Sequence, residues 1–136
     1  MRTDTSTNNG TGTTGVTWDT QLMSLDVFNG SKGAYDSDII DAIYYAANND
    51  ADVINMSIGG TLEGTTDIAV ANFPYHDQMF TALNYAVDNN TTVVIAAGND
   101  DKNFDDNWVA LPAYLSELIP GVISVAANAF PNLFSK

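Results

Sequence analysis

Thr92-Val93-Val94-Ile95-Ala96-Ala97-Gly98-Asn99-Asp100 is the stretch that decides the fold. Thr92 to Ile95 are all β-branched, and from Val93 to Ala97 no polar residue interrupts the run. A strand with one wet face alternates apolar and polar side chains, whereas an unbroken run marks a strand covered on both faces. The apolar run stops at Gly98-Asn99-Asp100, three residues suited to a turn.

Upstream, residues 75–88 place Met79, Leu83 and Ala86/Val87 on one stripe at helical spacing, and Asn89-Asn90 ends the helix. A loop over 61–74 precedes it. Before that loop, Asp52-Val53-Ile54-Asn55-Met56-Ser57 is a second short strand, running into Gly59-Gly60. Ser37 to Ala47 reads as another helix. Ser37 serves as its N-cap, Asp38 and Asp41 suit the positive end of its dipole, and Ile39, Ile43 and Ala46/Ala47 share a face. Asn48-Asn49-Asp50 terminates it. Residues 16–28 close on the alternation Met23, Leu25, Val27, which predicts a strand, and residues 29–34 form a Gly-bearing loop. Downstream, 99–110 is an acidic loop and 121–127 a last apolar strand. Residues 1–15 are polar and aperiodic. Strands alternating with helices over short connections predict right-handed βαβ units. The fold class is therefore α/β: three layers, a mostly parallel sheet with flanking helices. In such sheets ligands bind beyond the carboxyl ends of the strands, here Ser57-Ile58-Gly59-Gly60 and Gly98-Asn99-Asp100.

Composition narrows the function classes. With 136 residues the chain makes one domain. Seventeen acidic residues against four basic give a net charge of −13, a surface that repels phosphate backbones and excludes nucleic-acid binding. Excess carboxylate suits solubility, a salty medium or cation binding. No apolar run reaches the ~20 residues of a membrane-spanning helix, and the N-terminal residues show no signal-peptide core. The absence of cysteine excludes disulfides and thiol catalysis.

The two strand ends resemble the subtilisin-like serine proteases. Asp52-Val53-Ile54-Asn55-Met56-Ser57-Ile58-Gly59-Gly60 is similar to the family's D-V-I-N-M-S-L-G-G segment, and Thr92 to Asp100 to its V-V-V-A-A-A-G-N-[DE] segment. Shorter matches at 15–28, 37–47, 111–113 and 122–126 extend the resemblance over most of the chain. It implies that Asn99 is the oxyanion-hole donor, an amide N–H held where a scissile carbonyl oxygen gains negative charge. It also implies that Ser57, Ile58, Gly59 and Gly60 pair with an extended substrate and wall its primary specificity pocket. Ala96, Ala97 and Gly98 would form the facing wall, and Lys32, Gly33 and Ala34 the flanking edge. Thr7, Asn9, Thr11 and Thr13 look like part of a calcium loop, with oxygen donors at alternating positions for a hard cation. Leu111-Pro112 is implied to be a cis peptide on the pocket rim.

Neither the family's H-G-T-H histidine motif nor its G-T-S-M-A serine motif occurs, nor does its acid-bearing first strand. Against the family pattern, residues 1–136 correspond to the central part of a peptidase domain, truncated at both ends and inactive alone. The parent family implies a peptide or protein substrate and a secreted location. His76, the sole histidine, follows Phe73-Pro74-Tyr75 at a helix start and reads as a surface or capping residue. Two rival functions remain. One is a non-catalytic peptide- or calcium-binding module of protease-like fold. The other is a nucleotide-binding α/β domain, suggested by Gly10-x-Gly12-x-x-Gly15, although no apolar strand precedes that pattern and no helix follows it.

Overall fold

The computed structural model describes residues 17, 19–30, 33–63, 76–100 and 108–127. Its centre is a parallel three-stranded sheet. β1 (Val53–Met56), β3 (Thr92–Ala96) and β5 (Val122–Val125) lie in the order β1-β3-β5. Val53 faces Thr92 and Met56 faces Ile95, while Val93 faces Val122 and Ala96 faces Val125. The two helices are α1 (Asp36–Asn48) and α2 (His76–Asp88). A second, antiparallel ladder joins β2 (Gly60–Glu63) to β4 (Trp108–Leu111), and a 3-10 helix over Ala113–Glu117 follows it.

The register sorts side chains onto two faces. Ile54, Met56, Val93, Ile95 and Val122 point to the same side and belong to one cluster with Ile39, Ile40, Ile43 and Ala47 of α1 and Met79, Ala82, Leu83 and Ala86 of α2. Both helices therefore lie over that face. Val109, Ala110, Leu111 and Leu115 close the same core, so the small ladder is rooted in it. On the other face Val53, Ile123 and Val125 are 58%, 49% and 52% exposed.

Both helices end in the same way. Ala51 N–H donates to Ala46 C=O and Asp50 N–H to Ala47 C=O, while Thr91 N–H donates to Ala86 C=O and Asn90 N–H to Val87 C=O. These are Schellman closures, and the residue each needs in the left-handed region is Asp50 (φ 56°) or Asn90 (φ 61°). The side chains of Asn49 and Asn89 each donate to the tyrosine carbonyl four residues back, at 2.8 Å. The polar clusters that end the helical patterns in the sequence are these closures.

Three details depart from the sequence reading. Helix α1 starts at Asp36 after Tyr35, so Ser37 lies inside its first turn and makes no cap bond. Burial raises the Asp36 carboxyl above its ordinary value of 3.8. No strand forms among the described residues of 16–28, whose backbone pairs with a strand-like partner at a single point, the Phe28–Ala34 bridge. Leu22, Met23 and Phe28 are exposed there. Alternation shows which face a strand would bury, but a strand exists only where a neighbour accepts its ladder. The β2–β4 ladder occupies the ends of the two stretches read as loops, because each of its strands is only four residues long.

Leu83 is 0% exposed, between helix and sheet. Leu83→Ala should cost about 2–5 kcal/mol in chemical denaturation. Thr91, buried at 2% exposure, donates to Ala51 C=O at 2.8 Å. Thr91→Val keeps its shape but orphans that acceptor, and should cost about 1–3 kcal/mol in the same assay.

Candidate active site at the carboxyl end of the sheet

Parallel pairing puts the carboxyl ends of β1, β3 and β5 along one edge. Met56 sits beside Ile95, so Ser57 leaves β1 next to the point where Ala96 and Ala97 leave β3. Ala97 N–H still donates to Val125 C=O at 2.9 Å, extending the ladder by one bond before the chain turns at Gly98. Each helix returns to its next strand through a short turn and so runs opposite to the strands. The N-terminus of α1, with Gly33 and Ala34 just before it, therefore lies toward this same edge. Ala34 and Val27 pack against the core there.

Between β1 and β2, Ser57, Ile58 and Gly59 have no ladder partner among the described residues. Ser57 and Gly59 are exposed, and Ile58 rests against the core. This short run is anchored by one apolar side chain while its backbone groups stay free. Packing is tight at Gly59: a Cβ there would stand 3.2 Å from the Leu111 carbonyl oxygen, and that backbone would have to give by a few tenths of an ångström. Gly98 is required for another reason, a φ of +109° that L side chains rarely adopt. The Leu111–Pro112 peptide at the end of β4 is cis, as the resemblance implies.

Asn99 is exposed at the tip of the β3 turn, and its side chain makes no hydrogen bond among the described residues. Its neighbour Asp100 accepts a 2.9 Å hydrogen bond from the Thr61 hydroxyl of β2. The pattern of the sequence carried no sign of that bond, since its partners lie 39 residues apart. The edge thus combines a run without ladder partners among the described residues, Ser57–Gly59, the small residues Ala96, Ala97 and Gly98, and one amide side chain, Asn99, with no hydrogen bond among the described residues. That combination suits an extended polypeptide bound main chain to main chain, with a donor at one end of the groove.

Other expected residues do not gather here or are not described. Lys32 lies outside the described residues, as do Thr7, Asn9, Thr11 and Thr13 of the calcium-like loop and the Gly10–Gly15 pattern. No cluster of three metal-ligating side chains occurs among the described residues. His76 opens α2 with Nδ1 3.2 Å from Asp77 Oδ1 and its ring stacked on Phe80. Its side chain is 15% exposed and Nε2 is buried without a partner among the described residues, so of the surface or capping residue that the sequence implied, the surface alternative does not hold. No helix among the described residues is long and apolar enough to cross a membrane.

Comparison with known proteins agrees with the fold. Residues 5–131 match the Subtilase family, Peptidase S8. An extracellular protease of Xanthomonas campestris pv. campestris is 35% identical over 133 residues, covering 90% of this chain and 20% of its own length. Subtilisin DY of Bacillus licheniformis is 33% identical over 126 residues, covering 89% of this chain and 40% of its own length. Among solved structures, a lanthipeptide protease superposes with a TM-score of 0.60 at 28% identity, over 76% of this chain and 30% of that one. The epidermin leader peptide processing protease of Staphylococcus aureus superposes with a TM-score of 0.58 at 27% identity, over 72% and 26% respectively. The chain therefore spans between a fifth and two fifths of the length of these relatives. A match over residues 5–131, a parallel α/β sheet and the two motif-bearing strand ends lead to one conclusion: the chain belongs to the subtilase family.

Proposed function

We propose that this chain is the central part of a subtilisin-like serine endopeptidase domain. It holds the strands that bind substrate and the oxyanion-hole asparagine, Asn99, but not the acid, base or nucleophile, and so does not hydrolyse peptides alone. The observation that supports the reading is the juxtaposition of Ser57–Gly60 with Ala96–Asn99 at the carboxyl ends of two paired parallel strands. An extended peptide laid along Ser57–Gly60 would find free backbone partners, and the small side chains of Ala96, Ala97 and Gly98 leave room opposite for one substrate side chain.

In peptide hydrolysis by a serine enzyme, the hydroxyl oxygen bonds to the carbonyl carbon and the carbonyl π pair moves onto oxygen. That oxyanion then collapses, breaking the C–N bond as the amine leaves with a proton. The amide N–H of Asn99 would donate to the oxygen at its most negative point. Such a donor is worth about 10²–10³ in kcat because it is fixed before the charge forms. The hydroxyl, the imidazole that takes its proton and the carboxylate that orients the imidazole are not provided by motifs in this sequence. His76 does not substitute, because Nε2, the nitrogen that would have to face a hydroxyl, is buried and meets none among the described residues. In this reading the calcium-like loop is part of a cation site, the substrate is a peptide or protein, and the working location is extracellular.

Three measurements test the proposal. A serine-reactive fluorophosphonate and a chromogenic peptide should give neither labelling nor hydrolysis with the purified chain, and clear labelling would overturn the statement that it lacks a nucleophile. Titration with an uncharged extended peptide should shift the amide resonances of Ser57–Gly60 and Ala96–Asn99. Shifts confined to other residues would reject the groove. In a polypeptide where nucleophile, base and acid are also present, Asn99→Ala should lower kcat by about 10²–10³ with KM little changed.

A further inference from the structure

Gly98, Asn99 and Asp100 form an overhang. Beyond Ala96 the sheet supplies one more backbone bond, from Ala97 N–H to Val125 C=O. Gly98, Asn99 and Asp100 are exposed, and a Cβ built on Gly98 would meet nothing within 4 Å. A glycine at φ +109° with no packing around it is a hinge unless something holds the far side of the turn. Among the described residues the hold on the far side is a single bond, the Thr61 hydroxyl donating to Asp100 Oδ2 at 2.9 Å.

Thr61 is a firm post for that bond. It lies in β2 opposite Ala110 of β4, whose residues Val109, Ala110 and Leu111 are all buried in the core. Its β-branched side chain is stiff at χ1, so the hydroxyl direction follows from the strand. The line of constraint runs from the core through β4 and β2 to Thr61, across to Asp100, and one peptide back to Asn99. The two sheets are separate ladders, so their relative position matters to this corner.

We infer that Thr61 is a positioning residue for Asn99: its bond to Asp100 ties the overhanging turn to the β2–β4 ladder and fixes where the Asn99 amide points. The functional consequence rests on the proposal that Asn99 is the oxyanion donor, since a donor contributes only if it is in place before charge develops. The physical tether does not depend on that reading.

The test is ¹⁵N relaxation on the full chain, comparing the parent with Thr61→Val, Thr61→Ser, Asp100→Ala and the Thr61→Val/Asp100→Ala double variant. In the parent, order parameters at Asn99 and Asp100 should be near the rigid value of about 0.85, and in Thr61→Val they should fall below about 0.6. Thr61→Ser, which keeps the hydroxyl, should retain the parent values. Asp100→Ala breaks the same bond from an exposed site where folding is not at stake. It should match Thr61→Val, and the double variant should be no looser than either. Unchanged order in Thr61→Val, failure of serine to preserve it, or summed effects in the double variant would each overturn the inference. If the peptide titration fails while Thr61→Val still loosens the turn, the functional reading falls and the tether stands. If the peptide binds but the order parameters do not respond, the reverse holds.

Discussion

The parallel pairing of β1 with β3 is the constraint on which the rest depends. Side chains in a strand alternate faces, so slipping this pair by one residue would turn Val93 and Ile95 away from the helices and bring Thr92, Val94 and Ala96 under them. The same slip would separate Ser57 from Ala96 and Ala97, and the two segments at the carboxyl edge would no longer face one groove. The register is locked at the other end of the strands. Thr92 N–H donates to Asp52 C=O at 2.9 Å, and the buried Thr91 hydroxyl donates to Ala51 C=O at 2.8 Å. Those residues sit directly after the two Schellman closures, so the helix ends deliver their strands already aligned. A short polar crossing at one edge thus sets the geometry of the carboxyl edge about four residues away.

The helices add a second alignment. Tyr85 of α2 donates from its hydroxyl to Asn48 Oδ1 of α1 at 2.6 Å, and its ring lies 5.1 Å from that of Tyr44. Beneath these contacts Ile43, Met79, Ala82 and Leu83 are almost wholly excluded from water. Apolar burial of this kind dominates the stability but has no direction, whereas the Thr91, Asn49, Asn89 and Tyr85 bonds are individually modest and directional. The first supplies the free energy and the second selects the arrangement.

What the sequence made legible follows the same division. The periodic elements were readable: α1, α2, β1, β3 and β5 fall where 3.6-residue stripes and apolar runs place them, and the polar ends at 48–50 and 89–90 are real helix closures. The motif-bearing strand ends could also be placed, because two long matches in the right order fix a family. The β2–β4 ladder was not readable. Its strands pair across more than forty residues, and four residues carry too little periodicity to be seen. The stretch at 16–28 misled for the opposite reason, since Met23, Leu25 and Val27 alternate as a strand should yet no described neighbour offers them a ladder. Ser37 is a good cap by residue type, but the helix began one residue before it. At the candidate site, the strand ends Ser57–Gly60 and Ala96–Gly98 were legible from their residues and the Thr61–Asp100 bond was not, because a long-range side-chain contact leaves no local pattern.

The second face of the sheet brings two opposing effects together. Val53, Ile123 and Val125 are exposed on it, and β1 and β5 are both open edges among the described residues. Apolar surface and unpaired backbone of this kind favour association between copies. Charge opposes it. No lysine or arginine occurs among the described residues, so the described surface carries carboxylates without counter-charges of its own, and the chain as a whole stands at −13. Repulsion between exposed charges reaches about 10 Å at 0.1 M salt and only ~3 Å at 1 M, whereas apolar attraction is not screened. The balance between the two therefore moves with ionic strength. At low salt repulsion between the carboxylates would oppose the approach of a second copy to Ile123 and Val125. At high salt that opposition would shrink to contact distance while the apolar attraction remained.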